Sequence, residues 1–148
     1  GVRHGSGRYC SPNLQYDGEY VSDERHGAGK LAEREASGRA QSYDGEFLWS
    51  LRHGKGRHRS RGREYRGQWC CNMRHGHGTQ NWLQVGDFYE GQWEDDQMHG
   101  HGVLTTKAMR YVGQFAHGEQ AGDGIQIWSN GDDYQGQFLM SRPHGQGQ

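Results

Sequence analysis

One five-residue unit, Tyr-x-Gly-[Glu/Gln]-aromatic, returns six times and sets the terms for any fold of this chain. It stands at Tyr16-Asp17-Gly18-Glu19-Tyr20, Tyr43-Asp44-Gly45-Glu46-Phe47 and Tyr65-Arg66-Gly67-Gln68-Trp69. It stands again at Tyr89-Glu90-Gly91-Gln92-Trp93, Tyr111-Val112-Gly113-Gln114-Phe115 and Tyr134-Gln135-Gly136-Gln137-Phe138. The steps between leading tyrosines are 27, 22, 24, 22 and 23 residues. Ten residues after a tyrosine comes His-Gly-x-Gly, beginning at His26, His53, His75, His99 and His144. The fifth copy has Ala121 in the histidine position and keeps Gly122-Asp123-Gly124. His4-Gly5-Ser6-Gly7 is the second half of a copy without a first half. A chain of this kind is a stack of like supersecondary pieces, each leaning on its neighbours.

Composition would otherwise suggest disorder. Glycine accounts for 26 of 148 residues, hydrophobic residues for 30%, and mean hydropathy is -1.18. Such a chain ordinarily buries too little apolar surface to offset backbone entropy. Five Trp, eight Tyr, only two prolines (Pro12 and Pro143) and a net charge of -1 argue for a packed structure instead. One domain is expected at this length. A pI near 6.9 supplies no global field to steer the chain to DNA or an anionic membrane. No apolar run reaches the ~18 residues of a membrane span. No signal peptide is visible, and the start at Gly1 reads as an excision from a longer chain. Cys10, Cys70 and Cys71 are odd in number and two are adjacent, so a reducing, cytoplasmic setting is expected rather than a disulfide framework.

The paired motifs resemble the MORN repeat (membrane occupation and recognition nexus), whose pattern reads roughly Tyr-x-Gly-Glu-Trp-x-x-Gly-x-x-His/Asn-Gly-x-Gly. The resemblance covers essentially the whole chain as one array, a half repeat at 1–15 followed by repeats starting near 16, 43, 65, 89, 111 and 134. The middle glycine of the pattern is replaced by Asp23, Ser50, Asn72, Asp96 and Ser141, and kept at Gly118. All are turn formers, so the turn is expected to survive.

Alternation in residues 65–69 puts Tyr65, Gly67 and Trp69 on one strand face and Arg66 and Gln68 on the other. A turn around Asn72 then leads to a returning strand from His75. Gly76 and Gly78 are expected to share the aromatic face, leaving room for rings, with His75 and His77 opposite. Asn130-Gly131 reads as a two-residue hairpin turn. The expected fold is all-β: an elongated, single-layer, twisted antiparallel meander of consecutive β-hairpins, with about fourteen strands and an extent of roughly 60 Å at the usual strand spacing.

Three groups of residues are candidates for chemistry. The ring series Tyr16, Tyr20, Tyr43, Phe47, Tyr65, Trp69, Tyr89, Trp93, Tyr111, Phe115, Tyr134 and Phe138 is mainly core. Because one layer cannot cover both faces, part of it is expected to remain open as a groove for a helix or an extended peptide of a protein partner. The resemblance implies the same use of the concave surface.

A basic run, Arg52, Lys55, Arg57, Arg59, Arg61 and Arg63, is either a solvated outer face or an anion-binding patch for phosphoinositide headgroups, an acidic tail or RNA. Glu90, Glu94, Asp95 and Asp96 counter it one repeat on. Last, His75-x-His77 and His99-x-His101 have the spacing of bidentate metal pairs, but an intervening strand separates the two pairs by roughly 10 Å. The motif histidine is therefore expected to be structural, bonding the turn or backbone, with adventitious zinc or nickel as the alternative. No cysteine has ligand spacing, and no metal site or cofactor is expected.

No catalytic constellation or phosphate-cradling loop is present in the motifs, so no enzyme activity is expected. The reading is a non-enzymatic scaffold that binds proteins through its groove and sheet ends, with end-to-end self-association through open strand edges. The resemblance implies a cytoskeletal setting such as a cilium or flagellum. Nucleic acid is not an expected partner. A phospholipid-binding tether and an accessory region of an enzyme are the alternatives.

Overall fold

The computed structural model describes residues 1–148. It contains thirteen strands and no helix, in two compact units, Gly1–Met73 and Arg74–Gln148. In a meander each strand hydrogen-bonds only its chain neighbours, so compact units form locally.

The first unit contains β1 (Gly5–Cys10), β2 (Leu14–Val21), β3 (Glu24–Arg34), β4 (Ala40–Leu48), β5 (Leu51–Ser60) and β6 (Arg63–Cys70). Each pairs antiparallel with the next. The second unit follows with β7 (Met73–Trp82), β8 (Asp87–Glu94), β9 (Gln97–Thr105), β10 (Met109–Ala116), β11 (Glu119–Trp128), β12 (Asp133–Leu139) and β13 (Arg142–Gly147). These also pair in chain order, all antiparallel. The half repeat supplies one strand, and thus the total is thirteen.

Within every repeat the turn is two residues long with both φ values positive, from Ser22 (50°) and Asp23 (68°) to Met140 (49°) and Ser141 (59°). This is the turn geometry whose twist suits a tight hairpin. Eleven of its twelve positions hold a residue other than glycine, and only Gly118 relieves the backbone. Asn130-Gly131 departs from expectation. It lies inside a four-residue connection, 129–132, in which Gly131 alone of that pair is left-handed, and Trp128 N–H bonds the Asp132 carbonyl at 2.8 Å.

The thirteen strands follow one another in chain order in one open antiparallel sheet, and in each unit the core is a ring stack lying along one side of it. Each motif tyrosine lies back over its own strand, and its hydroxyl donates to the carbonyl three residues on: Tyr16 to Glu19 at 2.9 Å, Tyr89 to Gln92 at 2.8 Å, Tyr111 to Gln114 at 2.9 Å. The ring covers the paired glycines. A Cβ on Gly18 would meet the Tyr16 hydroxyl at 2.6 Å and the Gly29 Cα at 2.5 Å, and one on Gly102 would meet the Tyr89 hydroxyl at 2.5 Å. Glycine at those two motif positions is what lets the tyrosine lie flat.

Tyr16, Tyr43, Tyr89 and Tyr111 each meet two rings edge to face, one of their own repeat and one of the next. Tyr43 contacts Phe47 at 5.1 Å and Trp69 at 5.6 Å, and Tyr111 contacts Phe115 at 5.1 Å and Phe138 at 4.9 Å. Such contacts add ~0.5–1.5 kcal/mol each beyond area burial. They bind repeat to repeat in a fold without a second layer.

Candidate functional site

The rings do not form an open groove. Of the twelve, all but Tyr134 are 5% exposed or less, and Tyr89 and Tyr111 are at 0%. The expectation of a half-open aromatic face is corrected on physical grounds. Flattening over glycine covers one side of each tyrosine, edge-on neighbours cover its rim, and arginines lie over much of what is left.

Those arginines occupy the position just before the motif histidine. Arg3 stands 4.8 Å from the Tyr20 ring centroid, Arg25 5.5 Å from Phe47, Arg52 4.5 Å from Trp69 and Arg74 4.2 Å from Trp93. The turn residue of the following hairpin holds each in place. Arg3, Arg52 and Arg74 backbone N–H groups donate to Asp23, Asn72 and Asp96 Oδ1 at 2.9, 2.9 and 2.8 Å, and Arg25 N–H donates to Ser50 Oγ at 3.2 Å. Stacked guanidinium over a ring adds ~0.5–2 kcal/mol according to its desolvation. The row ends there, because the next equivalents are Met98, Gln120 and Pro143. Only the repeat alignment, read one residue upstream of the motif, would have exposed this position in the sequence.

The glutamate or glutamine of the motif also has a role that spacing alone left unread. The sheet pairing shifts at the first glycine of His-Gly-x-Gly, which has a positive φ (Gly54 60°, Gly100 59°). A β-bulge results. Lys55, His101 and Asp123 N–H groups there donate to Glu46, Gln92 and Gln114 Oε1 at 3.0, 2.7 and 3.0 Å. A Cβ on Gly54 would strike that Glu46 carboxylate. The two motif glycines therefore do different work: the second faces the rings, and the first clears the bulge. The expectation that both share the aromatic face is corrected, and the positive φ also interrupts the alternation that would align His99 with His101.

His26, His53 and His99 pack against the turn of the next repeat, and at His26 and His53 the anticipated bonding is not made through Nδ1. Nδ1 of His26 and of His53 are buried without a hydrogen-bond partner, and the His26 ring meets Trp49 edge-on at 4.9 Å. At His99 the neighbour is His117, 6.2 Å away, and Nε2 approaches Glu94 at 3.3 Å. At His53 the neighbours are Cys70 and Cys71, and one ligand atom from each of the three lies within 4.8 Å of the others. The absence of ligand spacing among the cysteines is therefore no guide, because strand pairing brings the third ligand from β5.

The six residues of the basic run are not brought to one face. Arg52 lies on the ring side. Arg57 and Arg59 both pair with Glu64, at 2.9 and 2.6 Å, and Arg66 joins them at 2.7 Å. Burial alone would raise the Glu64 pKa, but the hydrogen bonds and charges of Arg59 and Arg66 outweigh it and hold the carboxyl below its ordinary value. Lys55, Arg61 and Arg63 remain exposed.

Behind the first unit, Arg8, Asp17, Lys30, Asp44, Arg57 and Arg66 follow one another as register partners, making a row of mostly alternating sign. A cleft of about 640 Å³ opens there, with Lys30, Ala32, Ser42 and Arg57 among its lining. Behind the second unit the same register reads Thr79, Glu90, Val103, Val112, Ile125 and Gln135. Val112, Ile125 and nearby Ile127 remain 38%, 39% and 43% exposed, a run of apolar side chains on an open sheet face.

No curated protein matches this chain. The family model for the MORN repeat matches seven segments, residues 1–14, 16–32, 43–61, 65–82, 89–107, 111–133 and 134–148. With the tyrosine-over-glycine core present in each unit and the family pattern running from end to end, the chain belongs to the MORN-repeat family.

Proposed function

We propose that this chain is a non-enzymatic scaffold that binds other proteins through the back of its sheet, the face away from the rings. MORN repeats mark repeat proteins that often engage proteins or membranes. The observation that carries the choice of proteins is the exposed apolar row Val112 and Ile125, flanked by exposed Ile127 and half-buried Val103, on strands β9 to β11. A contiguous exposed apolar strip on a folded sheet is the ordinary mark of a protein contact. Self-association through sheet ends and a cytoplasmic, cytoskeleton-associated setting, such as a cilium or flagellum, belong to the same proposal and rest on the resemblance to the family.

The lipid reading has less support. Arg57 and Arg59 of the basic run share one carboxylate with Arg66, and Arg52 is stacked on Trp69, which leaves half of the run, Lys55, Arg61 and Arg63, to meet headgroups. Crosslinking mass spectrometry on the native assembly tests the proposal. Crosslinks from strands β9 to β11 to other proteins are expected, and the double variant Val112→Glu, Ile125→Glu should lose them while keeping its circular dichroism spectrum. The same crosslinks in the variant would refute the site. Salt-sensitive sedimentation with anionic liposomes and no protein neighbours would replace the proposal with the lipid one.

A further inference from the structure

We propose that Cys70, Cys71 and His53 form a zinc site at the turn after β6. The fold requires none of these thiols. The positions equivalent to Cys70 hold Val21, Leu48, Glu94, Ala116 and Leu139, and those equivalent to Cys71 hold Ser22, Trp49, Asp95, His117 and Met140. The hairpin turn forms in all of those repeats with both residues at positive φ, so the paired thiols are an addition to the motif.

The geometry matches a tetrahedral metal. Zinc–sulfur bonds of ~2.3 Å at a tetrahedral angle place two sulfurs ~3.8 Å apart. Sγ of Cys70 and Sγ of Cys71 are 3.8 Å apart. His53 comes from the neighbouring strand β5, because Gly54 pairs with Trp69, and its ligand atom lies within 4.8 Å of both sulfurs. Its Nδ1 is buried and makes no hydrogen bond. His26 is in the same condition, but there the turn presents Trp49, so the repeat supplies the histidine and this copy alone supplies sulfur beside it.

Two sulfurs and an imidazole are a donor set for a soft or borderline ion rather than for magnesium or calcium. Binding displaces one proton from each thiol to solvent, so two thiolates balance the charge of Zn2+ and the imidazole binds neutral. Cys71 is exposed, which gives the ion a path in, and a water completes the fourth position. Such a site would clasp β5 to the turn after β6.

The test uses the 148-residue chain, reduced, with Zn2+ alone. One equivalent retained through gel filtration is expected, with a raised melting temperature. Cys71→Ser and Cys70→Ala, at positions where other repeats tolerate varied residues, should each weaken zinc by at least ~100-fold, more than loss of an outer-shell partner costs. His53→Gln should weaken it as well. Cys10→Ser should change nothing. Co2+ in place of Zn2+ should give thiolate-to-metal charge-transfer absorption that either cysteine variant diminishes. The chain has ten histidines. Zinc retained undiminished by the Cys70→Ala, Cys71→Ser double variant, or a Co2+ spectrum without a thiolate band, would assign any binding to histidines and overturn the site.

Discussion

At one register position the first unit carries Arg8, Asp17, Lys30, Asp44, Arg57 and Arg66, and the second carries Thr79, Glu90, Val103, Val112, Ile125 and Gln135. The ring side of the two units is nearly the same structure, with matching tyrosine bonds and edge-on contacts. The difference therefore sits in positions the motif leaves open. The second residue of Tyr-x-Gly and the residue after His-Gly-x-Gly point backwards, and they can change from charged to apolar without disturbing a ring. In this chain the motif specifies a fold, and the open positions specify a surface.

If the cores are equivalent, alkali should destroy both units together. Burial pushes the pKa of Tyr16 and Tyr111 up to about 12 from 10.0, and it raises Tyr43 and Tyr89 as well. Below pH 10 both folded and unfolded chains hold these protons. Above it the unfolded chain ionises first, so stability falls between pH 10 and about 12, by ~1.4 kcal/mol per pH unit for each such tyrosine. Circular dichroism loss and tyrosinate absorbance should rise in step. In a Tyr9→Phe, Tyr134→Phe background, which removes the two tyrosines that are not buried, tyrosinate appearing near pH 10 with the fold intact would show open rings.

Glycine replacement is the next largest effect. Gly29→Ala in the first unit and Gly102→Ala in the second put a methyl into a tyrosine ring, and each should cost ~3 kcal/mol in urea unfolding, at the upper end for overpacking. A large inequality between them would break the equivalence of the cores.

Arg52→Ala should cost ~1–2 kcal/mol, through lost stacking on Trp69 and lost bonding to Asn72. Gln120→Ala, at the same position in the second unit, removes no cation from a ring and should cost less. Last, Ile125→Thr should alter stability by under ~0.5 kcal/mol while lowering association at high concentration, measured by light scattering. The corresponding Lys30→Thr should not lower it, because its row is already polar.

The sequence carried the repeat, its strands, its turns and the rings that form the core, because each depends on periodicity. It concealed the burial of those rings, because that depends on how a tyrosine lies along its own strand, and alternation shows only which face it occupies. The two glycines of His-Gly-x-Gly looked alike in a strand pattern, and a bulge made them different. Arg3, Arg25 and Arg74 are scattered charges in the sequence, and Arg52 adjoins cations from which a ring contact separates it. The spacing of Cys70 and Cys71 shows only their relation to each other, whereas His53 reaches them across a strand pair that no local window contains.

The left-handed turns have a consequence for the order in which the chain can be built. Each holds at least one residue in a conformation that costs ~1–2 kcal/mol outside glycine, least for Asp and Asn. Asp23, Ser50, Asn72, Asp96 and Ser141 each recover something by bonding to the repeat before them, at Arg3, Arg25, Arg52, Arg74 and Gln120. The dependence runs one way: a turn leans on chain already made, never on chain still to come. Synthesis from the N-terminus thus offers each of these turns its docking edge before the turn itself is made. Deleting residues from the front would leave the first remaining turn without its anchor, whereas deleting them from the back would leave every earlier turn supported.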